Sequence, residues 1–470
     1  MTLVRNATHW QGCRLYIAPD NPRGRHLAQQ MQQCGAIVLG MVDNLKQGAD
    51  VCNNASQSKP HDAVLIASSD FQQNIAQGML QNGFVARKIW CCTSQNPLQF
   101  QPYKAISILK KFRVLINECL ASLLDLLPKS QVVYYAEKYV DSNVLVAFDA
   151  HQKLHQDVYL VVKDAQRCFH PSQIDKPWRV RWLLQRAKVL VLDHESTDPV
   201  FNRLRTQAKV VQLWHGLPFK HLAGNKHFPH ILDEAFVSSS SWFNQLVFPG
   251  MFKAKHYLDL GYPRNDALLQ TPDKRCWYNA LPRAELQQLR AGKKLIVFMP
   301  TYRDNGQNEH PINWPELQQF LEFHNAVFVM KTHPFLAPFD ELRQHDGCDR
   351  IFHYPGRFNV YPWLADADLL ITDYSSVAFD FLLCNKPVLH FMYDIEQYAK
   401  VRGRFAIAKE DFIAGSVAEN FAQLLEQMPL DLASDRFVEK RQALQHKFSM
   451  VNTEACPALI DYLEQLKQQC

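Results

Sequence analysis

The chain has 470 residues, of which 47% are hydrophobic and 21% are charged. This is the composition of a globular protein with a large interior, and it excludes wholesale disorder. The net charge of +5 comes from dispersed lysines and arginines, which argues against a dedicated nucleic-acid-binding protein. Twelve cysteines without a repeated spacing indicate reduced thiols and no metal knuckle.

The first 20 residues lack the apolar stretch of a signal or transit peptide. No apolar run reaches the roughly 18 residues that a membrane-spanning helix needs. We therefore expect a cytoplasmic protein that does not cross a membrane.

The first hundred residues alternate short apolar strands with helical spacers, which predicts a small accessory α/β domain over residues 1–104. The predicted strands are 14–18, 35–42, 62–67 and 86–91. The glycines of this region do not form the GxGxxG pattern, so nothing indicates a dinucleotide site.

A second α/β domain is predicted over residues 105–249. It begins with an amphipathic helix at 105–127 that is basic near its start. A core-facing helix is the favoured interpretation, and contact with a membrane surface is the alternative. The predicted strands are 131–136, 144–148, 158–162, 189–192 and 209–213.

A third α/β domain is predicted over residues 250–470, with buried strands at 294–299, 326–331 and 369–372. Its tail, 435–469, has helical periodicity that we expect to break at Pro457. Loops that follow the carboxyl ends of parallel strands are where α/β proteins place their chemistry.

The strand at 209–213 runs into Trp214-His215-Gly216. A histidine titrates near neutrality and is suited to remove a proton from a hydroxyl group, which makes His215 a candidate general base. Gly216 would let a ligand or a facing lobe approach closely. A hydrogen-bonded structural histidine is the alternative.

Two further strand ends carry polar groups suited to phosphate. The strand at 326–331 ends at Lys331, which could neutralise a phosphate, and His333 follows two residues later. His333 could serve as an acid, a base or a hydrogen-bond donor to phosphate. The strand at 369–372 breaks into Asp373-Tyr374-Ser375-Ser376 before an apolar helix, which is typical of an anion site. A simple helix cap explains the same residues without a ligand.

Three arginines lie in turn-rich segments after apolar sequence and are suited to hold pyrophosphate oxygens. They are Arg264, Arg303 and Arg402.

In order, the motifs WHG, GYPRND, PTYRD, KTHP and TDYSS, followed by KP and YD…RG, resemble the CDP-glycerol glycerophosphotransferase family. That family includes teichoic acid glycerol- and ribitol-phosphate polymerases and primases. The resemblance covers residues 209–404 and, more weakly, extends back to 129. It implies a GT-B-like fold with two Rossmann-like lobes facing a cleft, to which residues 1–104 add an N-terminal α/β domain.

The resemblance also implies roles for individual residues. His215 is the expected general base on the acceptor hydroxyl, and His333 is its expected partner near the transferred phosphate. The expected donor-binding residues are Arg303, Lys331, Asp373, Ser375, Ser376, Arg264, Gly216 and Arg402.

The implied reaction moves glycerol or ribitol phosphate from CDP-glycerol or CDP-ribitol to a lipid-linked or polysaccharide acceptor and releases CMP. It would serve synthesis of a teichoic acid-like polymer, capsule or O-antigen, with peripheral contact at the inner face of the cytoplasmic membrane. No cofactor is expected, and we predict that fixed basic groups do the work that a catalytic metal does elsewhere. Downstream of the YD segment the chain has the sequence RGRF, where the family commonly has RGFY. This difference leaves the donor specificity open.

Two alternatives remain at this stage. One is a GT-B glycosyltransferase that uses a nucleotide sugar. The other is a non-catalytic subunit of a polymer-assembly complex, in which both histidines would be spectators.

Overall fold

A computed structural model shows two compact units, Met1–Leu120 and Ala121–Cys470, each with its own hydrophobic core. The residues that it describes are 5–43, 51–52, 55–67, 72–95, 98–102, 128–136, 143–162, 170–174, 176–194, 207–219, 232–303, 310–332, 336, 339, 341–402 and 405–469. Within these ranges, no helix has the length and apolar character required to cross a bilayer. The predicted amphipathic helix at 105–127 lies outside them.

The first unit contains a seven-stranded sheet of order β1-β7-β6-β5-β2-β3-β4 within its described residues. Its strands are β1 Arg5–Asn6, β2 Arg14–Ala18, β3 Ile37–Val42, β4 Val51–Cys52, β5 Ala63–Ile66, β6 Ile89–Gln95 and β7 Leu98–Pro102. Its helices are α1 Pro22–Gln33 and α2 Gln72–Gln81, with 3₁₀ turns at Ala7–Trp10, Ala55–Gln57 and Ala86–Lys88. Only the pairings of β7 are antiparallel. The predicted accessory α/β sheet is therefore present.

The second unit opens with a parallel seven-stranded sheet of order β10-β9-β8-β11-β12-β13-β14 in the described residues. Its strands are β8 Gln131–Ala136, β9 Val158–Val162, β10 Gln173–Ile174, β11 Ala187–Leu192, β12 Lys209–Gln212, β13 Asp233–Val237 and β14 Ala254–Leu258. The helices that follow are α3 Asn143–Gln152, α4 Pro177–Arg186, α5 Ser241–Leu246, α6 Asp266–Leu269 and α7 Arg283–Arg290, with 3₁₀ turns at Phe248–Gly250 and Pro263–Asn265.

The third sheet has the order β17-β18-β16-β15-β19-β20-β21 in the described residues, and only the edge strand β17 is antiparallel. Its strands are β15 Lys294–Met299, β16 Ala326–Lys331, β17 Arg343–His345, β18 Cys348–Tyr354, β19 Leu369–Thr372, β20 Val388–Phe391 and β21 Ser416–Ala418. Its helices are α8 Trp314–Phe323, α9 Tyr361–Leu364, α10 Val377–Phe381, α11 Ile395–Arg402, α12 Lys409–Phe412, α13 Phe421–Ala433, α14 Val438–Lys447 and α15 Ala455–Gln468, with a 3₁₀ turn at Leu382–Cys384.

Both sheets of the second unit have the doubly wound strand order, in which the chain reverses direction beside the first strand. The reversal falls between β8 and β11 in one sheet and between β15 and β19 in the other. Ligands of doubly wound proteins bind outside the carboxyl ends of the strands at such a reversal. The fold therefore places the loops after β11, β15 and β19 at the expected ligand positions, and the loop after β12 next to them.

Two predicted elements are wrong. Residues 144–148 form part of helix α3 and not a strand, because this helix is buried on nearly all sides and its apolar run carries no helical periodicity. The tail does not break at Pro457, which lies in the first turn of α15. Proline is tolerated there because the first-turn N–H groups have no partner within the helix.

The predicted domain ranges remain a proposal. Strand β14 belongs to the second sheet although it follows the predicted boundary after residue 249. Helix α15 also packs on that sheet through Leu459 and Leu463, although it lies at the end of the chain.

Candidate functional site

The Trp214-His215-Gly216 loop follows β12 in a constrained backbone. Trp214 has φ 49° and Gly216 has φ 138°, so His215 stands between two residues in sparsely populated conformations. The Trp214 N–H donates to Gln212 Oε1 at 2.9 Å, and its carbonyl accepts from Asn143 Nδ2 at 2.8 Å. These contacts fix the loop from both sides.

The contacts of His215 determine which of its nitrogens carries a proton. Nδ1 lies 3.1 Å from the carbonyl oxygen of Asp193, and a carbonyl only accepts, so Nδ1 carries hydrogen and Nε2 is left to accept one. The imidazole stacks on the ring of His194, with centroids 4.5 Å apart. Desolvation by the surrounding protein, followed by the charge of His194, lowers the pKa of His215. The imidazole is therefore neutral near pH 7, as a general base requires.

Gly216 lies at a close contact between the two lobes of the second unit. A Cβ built on this residue would lie 2.6 Å from Ser376 Oγ and 3.1 Å from an Nη of Arg264. Any side chain here would force the WHG loop away from the TDYSS segment. The structure thus brings His215, Ser376 and Arg264 into one neighbourhood, although they are far apart in the chain.

Arg264 is held in a buried ion pair. Its Nη2 lies 2.6 Å from Asp380 Oδ2, and the two side chains are 5% and 0% exposed. Its backbone N–H donates to Asn143 Oδ1 at 3.1 Å, and its guanidinium lies 4.8 Å from the centre of the Tyr361 ring. Arg264 therefore links the two lobes beneath the WHG loop, and its direct contact with a donor stays a prediction.

Asp373 organises the turn after β19. Its carboxylate accepts from the Thr301 N–H and hydroxyl at 2.7–3.1 Å and from the Tyr374 N–H at 2.5 Å. This turn sets Ser375 and Ser376 at the start of α10, where Ser375 Oγ accepts from the Val377 N–H at 3.4 Å. Helix α10 has only five residues, so its dipole is small and the serine hydroxyls are the stronger groups for an anion.

Arg303 is nearly buried and already surrounded by partners. It makes a two-point contact with Asp394 at 2.8 and 2.9 Å and lies 2.9 Å from Asp373. Burial opposes its charge, but the hydrogen bonds to Asp394 and the charge of Asp373 outweigh burial and raise its pKa. Three tyrosine rings enclose the guanidinium at 5.2–5.6 Å: Tyr374, Tyr393 and Tyr398. Arg303 thus holds the Asp373 turn in place, and its contact with a pyrophosphate stays a prediction.

The remaining predicted residues are less informative. The ammonium group of Lys331, at the end of β16, is buried and donates to the Gly356 carbonyl at 2.8 Å. His333 and the side chain of Arg402 lie outside the described residues.

Sequence reasoning missed three residues that shape the WHG loop: Asp193, His194 and Asn143. Asp193 presents its carbonyl to His215, while its carboxylate accepts from His194 Nδ1 at 2.8 Å and from the Val144 N–H at 3.2 Å. A signal was available, because the pair Asp193-His194 directly follows the apolar strand β11. Asn143 had no comparable signal, since the strand predicted at 144–148 concealed the start of a helix.

A basic pocket lies elsewhere in the same unit. It has a volume of about 440 Å³ and lies at the amino ends of strands β8, β11, β12 and β14. The lysines that line it are Lys129, Lys188, Lys209 and Lys255. Since ligands of doubly wound sheets bind at the carboxyl ends, the WHG side remains the candidate site.

Comparison with known proteins identifies a family for this chain. The family model described as CDP-glycerol:poly(glycerophosphate) glycerophosphotransferase matches residues 120–455, which include every motif above. The teichoic acid ribitol-phosphate polymerase TarL of Staphylococcus aureus is 29% identical over 277 residues, covering 54% of this chain and 48% of TarL. A teichoic acid glycerol-phosphate transferase of the same species is 24% identical over 363 residues, covering 69% of this chain and 90% of the relative. The match spans about half the length of TarL, and a match to a second ribitol-phosphate polymerase of that species, TarK, spans about half of that protein.

Among solved structures, the wall teichoic acid polymerase TagF superposes with a TM-score of 0.61 at 20% identity, covering 77% of this chain and 99% of that chain. This likeness confirms the predicted GT-B-like fold with two Rossmann-like lobes. Because the family model covers well over half of the chain, the protein belongs to the CDP-glycerol:poly(glycerophosphate) glycerophosphotransferase family.

Proposed function

We propose that this protein is an enzyme that transfers glycerol phosphate or ribitol phosphate from a CDP-alcohol to a hydroxyl group and releases CMP. The acceptor is a lipid-linked or polysaccharide chain in the synthesis of a teichoic acid-like envelope polymer. The observation that carries the proposal is the position of His215, whose Nδ1 lies 3.1 Å from the Asp193 carbonyl oxygen, in a loop that packs against Ser376 through Gly216. Family membership supports the choice of a CDP-alcohol as donor.

In the proposed reaction, Nε2 of His215 removes the proton of the acceptor hydroxyl. The hydroxyl oxygen attacks the phosphorus that carries the alcohol, and the bond from that phosphorus to the bridging oxygen breaks. CMP leaves with the bonding electron pair on its phosphate. Negative charge on the transferred group is stabilised by hydrogen bonds from the hydroxyls of Ser375 and Ser376 and by His333.

The basic residues divide into two that hold the site in shape and two that supply positive charge near the donor. Arg303 acts chiefly by holding Asp373 and the TDYSS turn, because most of its hydrogen-bonding groups already have partners. Arg264 holds the WHG loop against the turn. Lys331 and Arg402 are proposed to contribute positive charge near the donor, and no step requires a metal.

We also propose peripheral contact with the inner face of the cytoplasmic membrane through helix α4. Trp178 and Trp182, one turn apart on this helix, are 71% and 38% exposed. Arg179 is exposed between them, and the Arg186 guanidinium lies 5.7 Å from the Trp182 ring centre. Exposed tryptophans beside arginines are typical of a surface that meets anionic lipid head groups. Such contact would bring the site to a lipid-linked acceptor.

The experiment that tests the reaction measures CMP release from CDP-glycerol and from CDP-ribitol by the purified protein with an envelope-polysaccharide acceptor. His215→Ala and His333→Ala are compared with wild type, and His324→Ala serves as a control because this partly exposed histidine lies after α8. We expect release to fall by about 100-fold or more in the first two variants and to persist in the control. Full activity of His215→Ala would exclude it as the base.

A further inference from the structure

A second cluster of chemistry-bearing side chains lies between helices α3 and α15, outside the proposed reaction. His151 is fully buried near the end of α3. The His155 N–H donates to the His151 carbonyl at 3.0 Å, so a further helical turn keeps both rings on one side, with centroids 5.1 Å apart. Glu464 of α15 faces them both.

The distances in this cluster suit a small divalent cation. His151 Nε2 lies 3.1 Å from Glu464 Oε1, and His155 Nδ1 lies 3.8 Å from Glu464 Oε2. The three ligand atoms lie within 4.8 Å of one another. In a tetrahedral zinc site with bonds of about 2.0–2.1 Å, neighbouring ligand atoms stand about 3.3 Å apart. Only small side-chain adjustments separate the observed positions from that geometry.

The surroundings of His151 fit the way that proteins orient metal-binding histidines. The hydroxyl of the buried Tyr134 lies 2.9 Å from His151 Nδ1, on the far side of the ring from Glu464. A partner on the second nitrogen fixes the ring and directs the first toward a metal.

From this arrangement we infer that His151, His155 and Glu464 form a binding site for Zn²⁺ or a similar divalent cation. In the metal-free protein, His151 Nε2–H donates to Glu464. When a metal binds Nε2, the imidazole changes to its other neutral tautomer: the Nε2 proton is lost, a proton is gained at Nδ1, and the Tyr134 hydroxyl turns to accept from Nδ1–H. With two imidazoles and one carboxylate, the donor set is of the kind that zinc prefers, and a water molecule completes the fourth position.

The side chain of Lys467 lies close enough to weaken the affinity of this site for a metal ion. Lys467 Nζ lies 3.4 Å from Glu464 Oε2 and 2.5 Å from Asp157 Oδ2. Its positive charge opposes a metal ion, but Asp157 provides a partner that keeps it in place when Glu464 turns to the metal. Replacing Lys467 by a neutral residue should therefore tighten metal binding.

Metal binding would have a mechanical consequence, because helix α3 contacts the candidate active site at its other end and helix α15 begins beside Asp266, two residues after Arg264. Helix α3 begins at Asn143, which holds the WHG loop, and His151 lies about 12 Å further along its axis. Helix α15 begins at Ala455 and Cys456, whose N–H groups donate to Asp266 at 2.6 and 3.0 Å. A metal ion would clamp the two helices and stabilise that end of the lobe without taking part in phosphate transfer.

The test uses the full chain, with Co²⁺ as a spectroscopic probe and Zn²⁺ in isothermal titration calorimetry. We expect one ion per chain and visible absorption typical of tetrahedral cobalt. His155→Ala and Glu464→Gln should weaken binding at least about tenfold, Lys467→Gln should tighten it, and His324→Ala should leave it unchanged.

Three results would overturn the inference: no saturable binding to the wild type, equal affinity in His155→Ala, or the strong near-ultraviolet bands of cobalt bound to thiolates. His155 and Glu464 are chosen because both are partly exposed, so their replacement leaves the core intact. Circular dichroism of each variant confirms that it is folded before titration.

Discussion

Replacing Gly216 by alanine tests the contact between the lobes. The backbone φ of 138° is unfavourable for any residue with a side chain, and it costs about 1–3 kcal/mol. The new methyl group would also lie 2.6 Å from Ser376 Oγ, and overpacking of this kind costs about 1–3 kcal/mol. We expect Gly216→Ala to lose about 2–6 kcal/mol of unfolding free energy in all.

Two other glycines separate these causes. Gly292 has φ +80° with open space around its Cβ position, and Gly250 has open space without a positive φ. In guanidinium denaturation, Gly250→Ala should be near wild type, Gly292→Ala should lose about 1–2 kcal/mol, and Gly216→Ala should lose most. Adding Ser376→Gly to Gly216→Ala should restore part of the loss, because it removes the clashing atoms.

The same substitution should affect catalysis. Because it moves His215 relative to the TDYSS turn, CMP release should fall about 10- to 100-fold. If Gly216→Ala were as stable as Gly292→Ala and released CMP as fast as wild type, the lobes would not meet at this glycine and the reasoning would be refuted.

Three further predictions concern acid stability, a buried charge and the membrane. Ala414 N–H donates to His390 Nε2, and burial lowers the pKa of His390 from 6.5 to about 4. Between these pH values the unfolded chain binds a proton that the folded chain does not, so the free energy of unfolding is full above pH 6.5 and falls by up to about 3 kcal/mol towards pH 4. Denaturation measured across this pH range should show a smaller loss in His390→Gln. Asp380→Ala leaves the buried Arg264 charge unpaired and should cost about 3–5 kcal/mol, whereas Glu341→Ala, which removes an exposed ion pair, should change unfolding free energy by less than about 1 kcal/mol. Replacing Trp178 and Trp182 by alanine should reduce sedimentation with phosphatidylglycerol vesicles while preserving CMP release to a soluble acceptor, and unchanged sedimentation would exclude helix α4 as the contact.

Much of the sheet framework could be predicted because buried parallel strands appear as short apolar runs ending in polar residues. The bounds of β8, β9, β15, β16 and β19 agree with the predicted strands. The same reasoning failed at residues 144–148, because a helix that is buried on most sides also appears as a continuous apolar run. Local pattern alone does not distinguish the two.

The candidate site was partly predictable for a related reason. His215 and Asp373 follow strands, so the rule that strand ends carry chemistry locates them. Their partners are distant in sequence: Asp380 lies 116 residues after Arg264, and Asp394 lies 91 residues after Arg303. Nothing in a local pattern pairs such residues, so the ion pairs that occupy the two arginines became visible only in the folded chain.

The most direct test of the central claim is the identity of the nucleotide released during turnover. Incubating the protein with CDP-glycerol, CDP-ribitol and an acceptor, followed by ³¹P NMR, distinguishes two chemistries. Alcohol-phosphate transfer predicts CMP together with an equal amount of new phosphodiester on the acceptor. Release of CDP from either donor would contradict alcohol-phosphate transfer. Turnover of nucleotide sugars in a parallel incubation, without turnover of either CDP-alcohol, would assign the fold to sugar transfer.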